Sequence, residues 1–328
     1  MTHDDRFGHT VVLLDGGQAT ELEKDERVDL ATTRLWSAAL LLERNAHLED
    51  VVVAMHRNYY LAGADVATTI SYQTSLEGFH AEGITDSDVE MEKYYAKSVE
   101  MAVRGRELAR KELEADPSKT RCPLRVAASI GCYGAALADG SEYRGNYDKT
   151  VSELVAWHHH RFAFFASQPG VDFLLCETIP CLDEVKAIIQ LVNAMPSVRV
   201  IISVACRDES LLNSGEPISA MTELLKSLQR PEQLLAVGVN CTSPQFVASL
   251  LRSFECPCPK AAYPNSGEAW DGVDKRWIPA SHVHNVDGSW WDAYLPEWFD
   301  AGVRVFGGCC RTGPRDIQIL HDYFSKAA

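Results

Sequence analysis

The sequence predicts a single (β/α)8 barrel of the TIM-barrel class, with any functional site at the rim where the strands end. Short, nearly continuously apolar runs alternate with longer amphipathic segments along the whole 328-residue chain. Such runs are typical of parallel strands covered on both faces, and a succession of strand–helix units is typical of this barrel. No linker or shift in composition interrupts the alternation, so we expect residues 1–328 to form one domain.

The strand candidates are rich in β-branched and other apolar residues. In chain order they are residues 10–16, 65–72, 124–131, 172–178, 199–206, 234–241, 260–264 and 303–309. A doubly wound open sheet would show a similar alternation, but it usually carries a Gly-x-Gly-x-x-Gly motif after the first strand. The segment DGGQATELE at residues 15–23 does not match that motif, so the barrel is favoured over the open sheet.

The segments between the strands have helical periodicity. In residues 46–63 one face is apolar at the spacing i, i+3, i+4, i+7 and i+11 expected of a helix. These apolar residues are Leu48, Val51, Val52, Met55 and Tyr59. Gly63 follows as the expected C-cap. Further helices are predicted at residues 86–113, 218–228 and 314–324, the last of which opens with a proline.

Three successive histidines, His158 to His160, lie within another predicted helix. Successive residues on a helix point in different directions, so these side chains cannot share one metal ion without help. We therefore expect them to lie on a solvated helix face rather than in a metal site.

Composition and charge restrict the class of function. The formal net charge of −15 argues against nucleic acid or an anionic membrane as a partner. The first ten residues lack the pattern of a signal peptide, and no run approaches the roughly 18 apolar residues of a membrane span. We therefore expect a cytoplasmic protein that acts on small molecules, with its ten cysteines as thiols or metal ligands rather than disulfides.

Two predicted connections are unusually long. Residues 132–148 follow the third strand candidate, and residues 264–289 follow the seventh. Both lie on the side of the barrel where strands end and where barrel enzymes build their sites. We expect these connections to form lids or walls of a substrate site.

Three cysteines fall at strand ends: Cys241 after the sixth strand candidate, and Cys309 and Cys310 after the eighth. These strands are separated by one strand, roughly 10 Å, so the three thiolates can converge on one tetrahedral ion. Zinc favours sulfur ligands, and three protein ligands leave a fourth position open, as in catalytic sites. We expect Gly307 and Gly308 to let the backbone turn tightly towards the metal. From these residues alone, a structural role for the cysteine pair remains the alternative.

Several motifs at predicted strand ends are shared with one known family. They are LLDGGQATELE (13–23), TTISYQ (68–73), DGSEYRGNY (139–147), ETIP (177–180), GVNC (238–241), YPNSGE (263–268) and GGCCRT (307–312). With these motifs in this order, the chain resembles the homocysteine S-methyltransferase family, zinc-dependent barrel enzymes that methylate homocysteine to methionine. It looks most similar to the short members that use S-methylmethionine or S-adenosylmethionine as the methyl donor.

The resemblance implies a Zn2+ site and a homocysteine site beside it. The family's zinc ligands correspond to Cys241, Cys309 and Cys310. The acidic residues that hold the substrate ammonium in the family correspond to Asp15 and Glu177. Without the resemblance, both acids would equally suit a role as helix caps.

The resemblance also implies contacts to the rest of the amino acid. The family's glycine turn, whose backbone N–H groups meet the substrate carboxylate, corresponds to Gly16 and Gly17. The segment after the second strand contributes near Ser71 and Tyr72. Ile70 departs from the family pattern, because a polar residue, often asparagine, is expected at that position.

The donor requires a second set of contacts. Asn265, Ser266 and Glu268 suit the amino-acid end of the donor. Because the donor carries a positive charge on sulfur, aromatic faces should line its pocket. The candidates in the two long connections are Tyr133, Tyr143, Trp270 and Trp277.

The implied chemistry is methyl transfer between two sulfur atoms. Coordination to zinc deprotonates the homocysteine thiol, which displaces the methyl group in line from the donor sulfonium without an organic cofactor. Two alternatives stay open: selenocysteine or another thiol as acceptor, and a non-catalytic barrel whose cysteines hold zinc or sense redox state. No arm follows the last predicted helix, so we expect a monomer or a loose dimer.

Overall fold

The computed structural model describes residues 11–84, 87–115, 123–267, 269–271, 276–278 and 290–327. Its centre is an eight-stranded parallel sheet. The strands are β1 (Val12–Leu13), β2 (Val66–Thr68), β3 (Arg125–Gly131), β4 (Phe173–Ile179), β5 (Val200–Val204), β6 (Leu234–Asn240), β7 (Lys260–Tyr263) and β10 (Val303–Phe306). Their order is β1–β10–β7–β6–β5–β4–β3–β2, and a parallel bridge between Leu14 and Val66 joins the two end strands. The sheet closes into a barrel, which confirms the predicted fold.

Helices follow the strands and cover the outside of the barrel. They are α1 (Gln18–Leu22), α2 (Glu49–Ala62), α3 (Leu76–Ala81), α4 (Asp88–Glu114), α5 (Tyr133–Leu137), α6 (Val151–Ser167), α7 (Leu182–Ala194), α8 (Met221–Leu225), α9 (Pro244–Arg252), α10 (Trp291–Asp300) and α11 (Pro314–Ala327). In the connection after β7, β8 (Ala269–Asp271) and β9 (Arg276–Ile278) form a separate antiparallel pair. Among the residues the structure describes, no helix combines the length and apolar composition that crossing a membrane requires.

All of the predicted strands are present, although most are shorter than their apolar runs. The helix predicted at 46–63 is α2, and Gly63 ends it with a φ of +124°. The helix predicted at 218–228 is shorter: a 3-10 turn at Ile218–Ala220 leads into α8. The Ser227 hydroxyl donates to the carbonyl of Leu224, and the Asn193 amide donates to the carbonyl of Ser227. These contacts replace the next helical hydrogen bonds and end α8 early.

Apolar side chains fill both sides of the sheet. The cluster inside the barrel takes one or two residues from each of several strands, including Val12, Val66, Phe173, Ile201 and Val305. A larger cluster lies between the strands and the surrounding helices. The interior is therefore a packed core, and ligands are left with the rim at the strand ends.

The expectation of a solvated histidine run is wrong for His158, whose side chain in α6 is fully buried. Its Nε2 lies 2.8 Å from Glu184 Oε1 in α7, and its Nδ1 lies 2.9 Å from a guanidinium nitrogen of buried Arg161. Burial, and then the charge of Arg161, lowers the pKa of His158 to about 4. The neutral ring therefore donates to Glu184 and accepts from Arg161. His159 is exposed, as expected.

Candidate active site

The three cysteines at strand ends lie together at the rim. Cys241 follows β6, while Cys309 and Cys310 follow β10, and both strands pair with β7. The three Sγ atoms lie within 4.8 Å of one another, and those of Cys241 and Cys310 are 3.7 Å apart. The group could hold a metal ion, and its position follows from the strand order on which the prediction was based.

The backbone at this cluster is unusual. Cys241 has a φ of +49°, a left-handed conformation that residues other than glycine rarely adopt. Its N–H donates to the carbonyl of Tyr263 at 3.4 Å, and the N–H of Cys309 donates to the carbonyl of Pro264 at 2.8 Å. The end of β7 therefore fixes both cysteine segments. Strained backbone of this kind is concentrated at functional sites.

The glycines before the cysteine pair serve close packing rather than a turn. Neither Gly307 nor Gly308 has a positive φ, so the predicted reason for them is wrong. A Cβ at Gly308 would lie 2.0 Å from Thr312 Oγ1, and a Cβ at Gly17 would lie 2.4 Å from the carbonyl oxygen of Cys309. Only glycine leaves enough space for the first and last connections of the barrel to meet.

The three thiols influence one another's ionisation. Hydrogen bonds from Cys241 and Cys310 hold the pKa of the Cys309 thiol well below its usual range. Hydrogen bonds to Cys309 and Cys310 raise the pKa of Cys241. The amide of Asn240 also lies 4.0 Å from Cys309 Sγ. The cluster therefore favours a first thiolate at Cys309, which is the form of cysteine that binds metals.

A cavity of about 930 Å³, partly open to solvent, adjoins the three thiols. Of the substrate-binding residues expected from the sequence, it is lined by Asp15, Gly16, Gly17, Tyr72 and Glu177. The structure thus brings the thiols and the proposed ammonium-binding acids into one cavity.

Asp15 is buried and accepts hydrogen bonds from Thr68. The backbone N–H of Thr68 lies 2.8 Å from Asp15 Oδ2, and its hydroxyl lies 2.9 Å from Oδ1. Gln18 in turn donates to the carbonyl of Thr68 and, at 3.0 Å, to its hydroxyl. Burial raises the pKa of Asp15 to about 7, although these hydrogen bonds by themselves would lower it. A cation in the cavity would stabilise the charged form.

Glu177 lies among the last residues of β4 and lines the same cavity as the thiols. Its carboxylate accepts a hydrogen bond from the Ser129 hydroxyl, and burial raises its pKa to about 8. The next residue, Thr178, has a φ of +58°. Both the N–H and the hydroxyl of Thr178 bond at 2.8 Å to the side chain of Asn240, directly before Cys241. The acid and the first cysteine are thus tied to one rigid frame.

Other expected residues have different positions. The Ser71 hydroxyl is buried and donates to the carbonyl of Ser129 at 2.7 Å, so it supports the strand below the cavity. The N–H of Gly17 donates to the carbonyl of Thr312 at 2.9 Å. Asn265 accepts from the N–H of Gly267 at 3.2 Å, which closes a turn after β7.

The aromatic residues predicted to line the donor pocket lie in different places. Tyr143 lines the cavity, whereas Tyr133 packs 5.1 Å from the rings of Tyr147 and Trp157. The side chains of Trp270 and Trp277, like Glu268, lie outside the described residues.

Among the cavity residues that the sequence reasoning missed are Gln18, Trp36 and Glu142. Gln18 and Glu142 lie inside the motifs at 13–23 and 139–147, which was the available signal. Trp36 begins a 3-10 helix (Trp36–Leu41), whose sequence has no α-helical or strand periodicity. Its φ of +46° is a structural property that composition does not reveal.

The homocysteine S-methyltransferase family model matches residues 12–324. The chain belongs to this family. It is 39% identical over 312 residues to the homocysteine S-methyltransferase of Escherichia coli (strain K12), with 94% of each chain covered. It is 37% identical over 316 residues to the selenocysteine Se-methyltransferase of Brassica oleracea var. italica, covering 94% of this chain and 87% of that protein.

A solved structure agrees with this family membership. The metallated form of the homocysteine methyltransferase MmuM from Escherichia coli matches with a TM-score of 0.77 and 35% identity, covering 96% of both chains. The chain is thus an enzyme of the homocysteine S-methyltransferase type, built on a single eight-stranded barrel with a cysteine cluster that could hold a metal.

Proposed function

We propose that this enzyme transfers a methyl group from a sulfonium donor to L-homocysteine, with one zinc ion held by Cys241, Cys309 and Cys310, and forms methionine. The observation that carries the proposal is the convergence of the three Sγ atoms within 4.8 Å at the rim of the barrel. The nine described cysteines are all free thiols, which supports a reducing, cytoplasmic location.

The thiol cluster fits zinc. With zinc–sulfur bonds of about 2.3 Å, tetrahedral geometry sets sulfur atoms about 3.8 Å apart. The Cys241–Cys310 separation of 3.7 Å agrees with that distance. Three protein ligands would leave one coordination position for a substrate thiol. The metallated form of the relative from Escherichia coli supports a bound metal.

The protein's own residues bind the acceptor. Asp15 and Glu177 are buried carboxylates with raised pKa values, so each gains from a neighbouring ammonium group such as that of homocysteine. The N–H of Gly17 is engaged with Thr312, which leaves the Gly16 amide as the proposed partner of the substrate carboxylate. Gly17 contributes by its small size.

The reaction breaks the donor's sulfur–methyl bond and forms a new sulfur–methyl bond on the acceptor. The donor sulfur leaves as a neutral sulfide with both electrons of the broken bond, and the acceptor thiolate supplies the electron pair of the new bond. A bound zinc ion lowers the pKa of a coordinated thiol and so supplies the thiolate at neutral pH. The cavity walls align the two sulfur atoms and exclude water, which contributes about 7–11 kcal/mol in such reactions.

Selenocysteine is the second candidate acceptor. It has the same amino-acid end as a thiol amino acid, and the 37% identity to a selenocysteine Se-methyltransferase favours testing it. The described site residues do not distinguish between sulfur and selenium in the acceptor.

The proposal is tested with protein purified under reducing conditions. We expect about one zinc per chain, and methionine formation from homocysteine with S-methylmethionine or S-adenosylmethionine. Glu177→Gln should raise the KM for homocysteine at least about tenfold, because a charged hydrogen bond to the ammonium is lost. Zinc-replete wild-type protein that forms no methionine with any sulfonium would refute the proposal and favour the non-catalytic zinc barrel.

A further inference from the structure

Glu142, in the connection after β3, presents a buried carboxylate to the cavity. It lines the cavity, and within the described part of the chain its Oε2 atom is buried and has no hydrogen-bond partner. A buried, uncompensated carboxylate oxygen is unfavourable unless a ligand satisfies it. Burial, against a hydrogen bond from its own backbone N–H, raises the pKa of Glu142 to about 7. The Glu142 carboxylate would thus be stabilised by a positively charged group of a ligand.

Glu142 is distinct from the acids proposed to bind homocysteine. Glu177 is affected by the charge of Asp15, whereas the charges that act on Glu142 are those of Asp139 and Arg144 on its own connection. Asp15 and Glu177 also accept hydrogen bonds from Thr68 and Ser129 respectively. The cavity therefore takes Glu177 from β4 and Glu142 from the connection after β3, so its acidic side chains come from different elements. This matches a reaction of two substrates that each carry a cation.

The connection that carries Glu142 is held firmly at both ends. Buried Glu184 accepts from the N–H of Tyr133 at 2.6 Å and from the hydroxyl of Tyr147, and so binds the first and last turns of the connection. The carbonyl of Glu142 itself accepts from the Asn213 amide at 2.9 Å. The backbone that carries the carboxylate is therefore positioned by the fold before any ligand arrives, which lowers the entropic cost of binding.

The surroundings of Glu142 suit a soft cation close to the thiols. Tyr143, the next residue in the chain, lines the same cavity as Glu142, Cys241 and Cys310. Among the described residues that line the cavity, four are acidic and Arg311 carries the only positive charge. An aromatic face beside a carboxylate favours a sulfonium, whose charge is weakly hydrated.

We propose that Glu142 binds the positively charged sulfonium group of the methyl donor and thereby determines donor affinity. The inference rests on the proposed function, because it assigns the second substrate of the same cavity. Both S-methylmethionine and S-adenosylmethionine carry this group, so the Glu142 contact serves either donor.

The test is steady-state kinetics of the zinc-loaded enzyme with each substrate varied in turn. Glu142→Gln keeps the shape and removes the charge, so kcat/KM for S-methylmethionine should fall at least about tenfold while the KM for homocysteine stays within about twofold. The kcat/KM for S-adenosylmethionine should fall by a similar factor. Glu142→Asp keeps the charge and should retain more donor affinity than Glu142→Gln.

The matched control is Glu209→Gln, which removes one exposed carboxylate from the connection after β5 and should leave both substrates unaffected. Zinc content and circular dichroism verify that each variant is folded and metallated. An unchanged donor kcat/KM in Glu142→Gln, or an equal loss for homocysteine, would overturn the inference while leaving the proposed function intact. Wild-type enzyme that turns over neither sulfonium refutes the proposed function itself.

Discussion

The thiol of Cys241 lies 3.7 Å from that of Cys310, although 69 residues separate them in the chain. The contact exists because β6 and β10 both flank β7, whose end also bonds the backbone of each cysteine segment. The geometry of the thiol cluster therefore depends on three strand ends and not on a local loop. Substitutions at any of these three strand ends should therefore change the affinity of the protein for a metal ion.

Replacing Cys310 with serine should abolish stable zinc binding. A serine hydroxyl is a far poorer zinc ligand than a thiolate, so two sulfur atoms remain where the proposed site needs three. We expect zinc content near zero after dialysis and activity reduced by more than about 100-fold. Metal analysis with a chromogenic chelator measures the first effect. Cys258→Ser, which alters a half-buried thiol in the connection between α9 and β7, is the matched control and should retain zinc.

Gly308→Ala should weaken zinc binding without touching a ligand. The new Cβ would lie 2.0 Å from Thr312 Oγ1, which donates to the carbonyl of Cys309 at 2.7 Å. Relief of the clash moves Thr312 and with it the cysteine backbone. Competition against a chelator of known affinity should show a loss of about tenfold or more.

Gly313→Ala is the control for this substitution, because its Cβ would meet no described atom closer than 3.5 Å. Equal zinc affinities of the two variants would show that packing at Gly308 is irrelevant to the metal site.

Glu184→Ala should destabilise the protein strongly. The carboxylate is fully buried and bonds His158, Tyr133 and Tyr147, and His158 in turn accepts from Arg161. Its removal leaves the donors of His158, Tyr133 and Tyr147 without their acceptor and takes away a negative charge that acts on buried Arg161. The cost should be about 3 kcal/mol or more in the free energy of unfolding. Urea denaturation measures the loss. A change below about 1 kcal/mol, the size expected of a surface acid, would contradict the role assigned to Glu184.

The free energy of unfolding should depend on His56 at acidic pH. Burial lowers the pKa of His56 in α2 to about 3, and within the described residues neither ring nitrogen has a hydrogen-bond partner. Below the unfolded pKa of about 6.5 the unfolded chain takes up a proton that the folded chain refuses. Stability contributed by the neutral ring is therefore complete above pH 6.5 and is lost as the pH falls towards 3.

His56→Phe should remove this acid sensitivity. At pH 5 the histidine lowers the free energy of unfolding of the wild-type protein by about 2 kcal/mol relative to neutral pH. Between pH 7 and pH 5 the variant should therefore lose about 2 kcal/mol less stability than the wild-type protein. Denaturant melts at the two pH values provide the comparison. Parallel curves for both proteins would show that His56 is not the titrating group.

The architecture could be predicted from the sequence because each barrel strand is buried on both faces. That burial produces apolar runs such as 172–178 and 234–241, which correspond closely to β4 and β6. The runs overestimate strand length where the chain leaves the sheet early: β2 ends at Thr68, whereas residues 69–71 stay buried and Tyr72 lines the cavity. An apolar run thus indicates that its residues are buried, but not that they pair with a neighbouring strand.

The candidate site was only partly predictable. The cysteine cluster followed from strand order, and Asp15 and Glu177 followed from motif resemblance. His158 was misjudged because its burial depends on Glu184, in the next helix of the barrel. Glu142 was missed because an acid in a long polar connection has no periodicity, and its burial arises from contacts with distant residues such as Asn213.

The hydrogen bond from the N–H of Gly17 to the carbonyl of Thr312 spans 295 residues and joins the two walls of the cavity. A ribosome makes the first of these walls at the start of translation and the second almost 300 codons later. A nascent chain that has not yet extruded Cys309 and Cys310 has an incomplete thiol cluster and lacks the last side of its pocket. The proposed metal and substrate therefore cannot assist the early stages of co-translational folding, when the first seven strands of the barrel can associate only through their own apolar residues.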